Sequence, residues 1–563
     1  IAASRRIADP RRIPEGKDQK ALDEARTVIG LACSLHATEV GASQMSMELA
    51  WRLATGHDPE TQKILDQCVI LLFPCHNPDG LDKVRDWYLQ SLGTPWEGGR
   101  MPWIYQKYAG HDNNRDWFML NLKETRLVTR ILYREWAPTI YCDIHQMGNL
   151  GARFFVPPYF DPINPNLDPV INQGLQLIGG HMSAELFAAG KRGVVTGAIY
   201  DNWWAGYNTI VPQHHSIFAV LTEAASVNRA SPIFQRKSQL TGGRRGMPSY
   251  ERTVNFPDPW PGGWWRLRDI VDYELIASRS LFVLGAKYRN WFLAQQLAMG
   301  RQQIALGQRG APFAWLVPLR QRDPGRAHQM LAALHATAIE IHQARAPFTA
   351  DGVKYPAGTR ILYAAQPFRP HLKDMMERQR YPKREVYPGG PPEAPYDMAG
   401  WNFPLQMGVS SVPVVTPFKA DARLLNRLKA PAAEIAGETR GAWWLVRNER
   451  NDDFALLNRL HRRGTPVFVA TSAFKHQGRP WPPGTLLFAG LNRADLEKLL
   501  TGKAVHVVGS RKRPDVAVQR LHPVRLGLYQ PWAASMDEGW MRLVLERHDF
   551  PYITLHNADF HRS

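Results

Sequence analysis

Apolar positions between residues 27 and 223 follow two rhythms. Short β-branched and apolar runs at 27–35, 68–73, 139–145, 153–157 and 216–222 have the length of buried strands. Between the first two runs, Ala42, Met45, Leu49, Ala50 and Leu53 recur with helical spacing, which predicts a helix that stops at Gly56. Leu127, Val128, Ile131 and Leu132 predict another, closed by Pro138. This alternation predicts an α/β fold, a mixed central sheet with helices on both faces. Residues 242–265, rich in Gly, Pro and Trp, predict a long loop, and a helical pattern follows through Leu293. The first domain is expected to span residues 1–300.

The pattern is sparser beyond that point. A strand is predicted at 313–319, a helix at 326–344 and a strand at 360–364, before a Pro/Gly-rich stretch at 381–396. Residues 301–440 thus read as an α/β and Pro/Gly-rich connecting region. From 441 to 563 strands at 443–446, 466–470 and 504–508 alternate with helices ending at 462 and 500, and a last strand–helix–strand unit occupies 525–529, 537–547 and 552–555. A smaller α/β region is predicted, and an incomplete one, because a single such unit cannot cover both faces of a parallel sheet.

Composition narrows the class. At about 150 residues per domain, 563 residues predict three to four domains. With 44% hydrophobic and 21% charged residues the chain is globular, which excludes a disordered, collagen-like or coiled-coil protein. No apolar run approaches about eighteen residues, so no membrane span is expected. The net charge of +18 favours anionic partners, but the basic residues are scattered and no nucleic-acid-binding motif is present, so nucleic acid is not an expected partner. The four cysteines, Cys33, Cys68, Cys75 and Cys142, lie in or beside apolar runs and read as free core thiols. No cysteine nucleophile is available after Cys142.

The sharpest chemical feature is His36-Ala37-Thr38-Glu39, placed where a strand ends and a helix begins. An imidazole and a carboxylate three residues apart in one turn can share a cation, most plausibly zinc. A catalytic zinc takes three protein ligands, and His145, ending the strand at 139–145, is the third candidate. A parallel neighbour would carry it to the same sheet edge as His36. His57-Asp58-Pro59-Glu60 repeats the spacing but follows a helix end. His214 and His215 are adjacent, face opposite ways on any strand and read as structural.

Taken in order, these segments and their neighbours resemble the zinc carboxypeptidases of the carboxypeptidase A type. The resemblance covers residues 1–300. H-A-T-E at 36–39 is similar to the family's H-x-x-E, and His145 to its distant histidine. Asn77-Pro78-Asp79-Gly80 is similar to its NPDG turn, Asp112-Asn113-Asn114-Arg115-Asp116 to its D-x-N-R segment, and Glu223 to its general base. The resemblance implies one zinc per chain held by His36, Glu39 and His145. It further implies that Asn114 and Arg115 grip a substrate's terminal carboxylate, that Asp112 supports His36, and that Tyr200 contacts substrate, with Tyr207 competing for that role. The family's oxyanion arginine has no clear match, Arg85 being too close to the NPDG turn and Arg100 too far. The second half resembles a class I glutamine amidotransferase-like module, non-catalytic here because it has no cysteine.

The expected activity is therefore zinc-dependent hydrolysis of C-terminal peptide bonds, with Glu223 as general base and, as substrate, a peptide bearing a free C-terminal carboxylate. An amidohydrolase acting on N-acyl amino acids or cell-wall peptides is the alternative on the same scaffold. An inactive peptidase fold that binds anionic polymer is the alternative from another class. The first residue, Ile1, suggests a processed or trimmed chain, and family habit suggests a secreted or periplasmic one.

Overall fold

The TVIGLAC run is apolar or small throughout, and in the computed structural model it forms strand β1 (Thr27–Cys33), buried along its whole length. The structure describes residues 1–396, 400, 402–438 and 443–561, so the expected limit between 440 and 441 lies outside the described residues. A strand buried on both faces suits the middle of a covered parallel sheet. β1 runs parallel to β2 (Cys68–Phe73) and to β3 (Ile140–Met147), and β3 runs parallel to β4 (Phe218–Ala225). Two short strands, Phe154–Phe155 and Val194–Val195, extend the sheet beyond β4, the first of them antiparallel to it. The sheet is mixed, as the sequence predicts.

Alternate residues of each strand feed two cores, because successive side chains point to opposite faces. Leu31, Ile140 and Val220 pack under helices α1 (Gly41–Thr55), α2 (Pro169–Ala188) and α3 (Leu267–Lys287), against Met45, Met182 and Phe282. Ala32, Tyr141 and Ala219 face the other way, onto Val128, Leu132 and Tyr133. Gly41 begins α1 at a point of close approach, where a Cβ would lie 2.5 Å from Ile270 Cγ2. Any larger residue would push α1 off α3.

Several elements differ from the sequence pattern. The helix predicted near 127–132 is an α-helix over Lys123–Thr129 that continues as a π-helical turn, Arg130–Trp136. The strand expected at 153–157 contracts to Phe154–Phe155. Helix α2, capped by Asp168 with Pro169 in its first turn, has no counterpart among the predicted elements. The expected domain limit at residue 300 falls inside a helix, Arg289–Arg309. The helix at 326–344 is shorter, Pro324–Ala336, and its last predicted residues instead form a strand, His342–Ala344.

The later regions form their own sheets. Ala314–Val317 and Arg360–Tyr363 lie at the centre of a five-stranded antiparallel sheet, and Trp315, Met330 and Phe403 share a core with Phe118, Trp203 and Ile210 of the first region. In the last region Trp443–Val446 and Val467–Ala470 both pair antiparallel with Leu486–Ala489. A hairpin, Phe474–His476 with Arg479–Trp481, links Val467–Ala470 to Leu486–Ala489, and such a connection makes adjacent strands run in opposite directions. The final unit is a parallel pair, Leu526–Tyr529 and Tyr552–Leu555, joined by α4 (Met536–Arg547). Among the described residues no helix is long and apolar enough to cross a membrane.

Candidate metal centre

The site is built at the C-terminal edge of β1, β3 and β4, where parallel strands release their loops. After β1 the backbone turns sharply at Ser34, whose φ is +50°. The Ser34 hydroxyl holds that turn, donating to Glu39 O and accepting from Ser43 N, both at 3.2 Å. Glu39 N donates to His36 O at 2.9 Å. The two side chains therefore leave one tight turn side by side, ahead of α1.

His36 Nδ1 lies 2.8 Å from Glu39 Oε1 and 3.1 Å from His145 Nδ1, and His145 Nδ1 lies 3.0 Å from Glu39 Oε2. Among the described residues these three form the group able to hold a metal ion. Two imidazole nitrogens and a carboxylate oxygen are a donor set suited to catalytic zinc, and ligand atoms of a tetrahedral zinc stand roughly 3.3 Å apart. The residues fit the ion. Strand register adds Glu223, which sits directly opposite His145 across β3 and β4. Glu223 shares a pocket with the three ligand candidates and with Asn114, Arg115, Tyr200 and Tyr207.

A second carboxylate stands behind His145: its Nε2 is 2.9 Å from Asp143 Oδ2. Asp143 is two residues earlier on the same strand, hence on the same face, and its Oδ1 accepts from Asn208 Nδ2 at 2.9 Å. Such a partner fixes the ring and raises its basicity. The expected pairing of Asp112 with His36 is corrected: His36 Nε2 is buried without a hydrogen-bond partner, and Asp112 Oδ2 accepts from Trp540 Nε1 at 3.4 Å. The His111 ring stacks on His36, and α4 brings Trp540 beside Asp112.

That turn, Gly110–Arg115, carries the other candidates. Asn113 Nδ2 donates to Leu35 O at 2.6 Å, tying it to the end of β1. Asn114 Oδ1 accepts from Asn208 N at 2.8 Å, and the Arg115 guanidinium lies 4.8 Å over the Tyr207 ring. Tyr200 packs on Phe155 and Tyr396 and lines the pocket together with Glu223. Both tyrosines line the pocket. Arg85 does not; it pairs with Asp82 and Asp86 on the surface. Asn77 caps the helix Pro78–Ser91 through Gly80 N, so the NPDG segment is a helix start. His214 and His215 are buried and each lies against a carbonyl one turn back, at Ile210 and Val211.

His111 and Tyr396 line the pocket and Asp143 stands behind His145, yet none of these is among the sequence-based candidates. His111 stacks on His36, with ring centroids 3.6 Å apart, and its Nδ1 is 2.9 Å from the Tyr105 hydroxyl. Its place beside Asp112 in the motif is a signal that was available. The same holds for Asp143, two positions before His145. Tyr396 comes from the Pro/Gly-rich stretch, and nothing local marks it.

Burial and charge set the proton balance. Burial lowers the His145 pKa, but Asp143 and Glu39 outweigh it and hold the ring well above its ordinary value. Burial raises Glu39, but His36 and His145 outweigh that and bring it down. Burial raises Glu223, with Glu39 adding to the shift and His145 only partly opposing it. Without metal, the two carboxylates thus favour the protonated ring, and a cation taken by Nδ1 competes with that proton. Zinc affinity is therefore expected to rise with pH, by about one log unit per pH unit. Competition with a chelator at pH 6, 7 and 8 measures this, and a flat profile would remove His145 from the ligand set.

Residues 13–143 match the zinc carboxypeptidase family model, a span that includes His36, Glu39 and the 110–115 turn and ends two residues before His145. The first part of the chain thus carries a zinc carboxypeptidase signature. No curated protein matches the chain. Among solved structures, a metallo-carboxypeptidase from Pseudomonas aeruginosa is 16% identical with a TM-score of 0.32, over 49% of this chain and 59% of that one. A metallo-carboxypeptidase from Burkholderia cenocepacia is 16% identical with a TM-score of 0.31, over 48% and 58%. Carboxypeptidase A from Helicoverpa armigera is 14% identical with a TM-score of 0.28, over 50% and 64%. The chain therefore spans about three fifths of the length of these proteins.

Proposed function

We propose that the chain is a zinc-dependent carboxypeptidase that hydrolyses the last peptide bond of substrates ending in a free carboxylate. The observation that carries this reading is a single pocket holding a two-histidine, one-glutamate ligand set, a buried carboxyl in register with one ligand, and one guanidinium. Bound zinc would supply Lewis-acid polarisation of a carbonyl and favour the ionised forms of water and carboxyl groups beside it. Glu223 Oε would take a proton from the attacking water and return it to the leaving amine nitrogen. Tyr200 would orient Glu223 through its hydroxyl. Arg115 would present its planar fork to the substrate's terminal carboxylate, with Asn114 beside it.

The test is a panel of peptides with free and amidated C-termini, run together with metal analysis. The chain is expected to hold one zinc and to cleave the free acids far faster than the amides. Equal cleavage of both would favour the amidohydrolase reading, and a metal content near zero would favour the inactive binder. Arg115→Lys keeps the charge and removes the fork. It is expected to raise KM for free acids by roughly 10–100-fold, with little change in kcat, as for a lost charged hydrogen bond. Steady-state kinetics on one free-acid peptide and its amide check this, and an unchanged KM would take Arg115 out of substrate recognition.

A further inference from the structure

The motif Ser535-Met536-Asp537-Glu538-Gly539-Trp540 opens α4, and the helix packs on the segment that leads into the 110–115 turn. At Gly539 a Cβ would stand 2.1 Å from Tyr108 O and 2.6 Å from Ile104 Cδ1, so only glycine allows this approach. At Gly110, whose φ is +54°, a Cβ would stand 3.1 Å from Met536 Cγ. Polar contacts grip the segment at both ends. On one side Trp540 Nε1 donates to Asp112 Oδ2 at 3.4 Å, and Glu546 Oε2 accepts from the Tyr108 hydroxyl at 2.5 Å and from Lys107 Nζ at 3.2 Å. On the other, Arg547 donates to Asn121 Oδ1 at 3.0 Å, and Asn121 Nδ2 donates to buried Asp116 at 3.0 Å. Asn114 and Arg115 lie between the two anchor points, Asp112 and Asp116.

Side-chain bonds at Asn113 and Asn114 hold the inner side of the turn. It is a 3₁₀ segment, whose hydrogen bonds are poor, and Asn114 within it is non-helical at φ −88°, ψ 26°. Its inner side is tied to β1 by Asn113, and its outer side meets α4. We propose that α4 of the C-terminal region is a positioning element for the substrate-binding turn, with Trp540 the positioning residue that sets Asn114 and Arg115. The role rests on the carboxypeptidase reading, in which those two residues hold the terminal carboxylate. A displacement of about 1 Å at a recognition group can cost up to 100-fold.

The test uses the full chain with Trp540→Phe, which removes the donor and keeps an aromatic ring, and separately Tyr108→Phe, which removes one hydroxyl at the surface contact. Each is expected to raise KM for a free-acid peptide about 5–10-fold with kcat within about twofold, and to narrow the preference for acid over amide. Zinc content and the melting midpoint should match the parent chain, while backbone amides of 104–116 exchange with deuterium faster. Unchanged KM and unchanged exchange would overturn the proposal. So would loss of zinc and kcat together, the mark of a helix that merely holds the fold. If the parent chain cleaves no peptide, the carboxypeptidase reading fails by itself, and exchange alone then decides: faster exchange at 104–116 in both variants supports positioning by α4, and unchanged exchange overturns it.

Discussion

Replacing Glu223 by Gln is expected to leave the chain folded and loaded with one zinc while kcat for peptide hydrolysis falls by about 10³–10⁴-fold, at the upper end of what general acid–base catalysis contributes. The substitution is nearly isosteric. Glu223 is buried opposite His145, and Gln has the same size and shape, so the pocket keeps its form. What the amide cannot do is carry a proton from water to the leaving nitrogen. The lost function is thus separable from the lost fold, which few substitutions at buried charges permit. Metal analysis and single-turnover assays on the same preparation check it. Hydrolysis retained within about tenfold would remove Glu223 as the base.

Glu39→Gln is expected to fail one step earlier, in metal retention. The Glu39 carboxylate is the hub of the proposed ligand set: His36 and His145 both face it, and Gln146 N donates to Oε2 at 3.0 Å. Neutralising it removes a ligand and one of the two carboxylates that keep His145 basic. Loss of a supporting partner costs 10–100-fold in metal affinity, and loss of a ligand should exceed about 100-fold. The variant should purify without zinc and show no hydrolysis, whereas Glu223→Gln should purify with it. Chelator competition measures the first quantity directly. Stoichiometric zinc in Glu39→Gln would exclude the proposed ligand set.

The contrast between these two residues also explains what the sequence discloses. His36, His145 and Glu223 sit where apolar runs end, and a parallel sheet brings such ends to one edge, so their convergence follows from strand pattern alone. Residues that meet through tertiary packing leave no such trace. Tyr396 enters from another region, and Trp540 meets Asp112 across more than four hundred positions. Helix ends fail for a different reason. Pro138 marks the end of one helix as expected, but Ala338 takes left-handed backbone at φ 63° where glycine is the usual signal, so the pattern at 326–344 gives no cue to stop before its last residues turn into a strand. The antiparallel pairings of the last region leave no sign either, since strands as short as Leu486–Ala489 carry no direction in their composition.

Tyr396 lines the pocket in contact with Tyr200, yet belongs to a segment that supplies none of the proposed ligands and not the proposed base. The ring at 396 can therefore be exchanged without altering any of those four side chains.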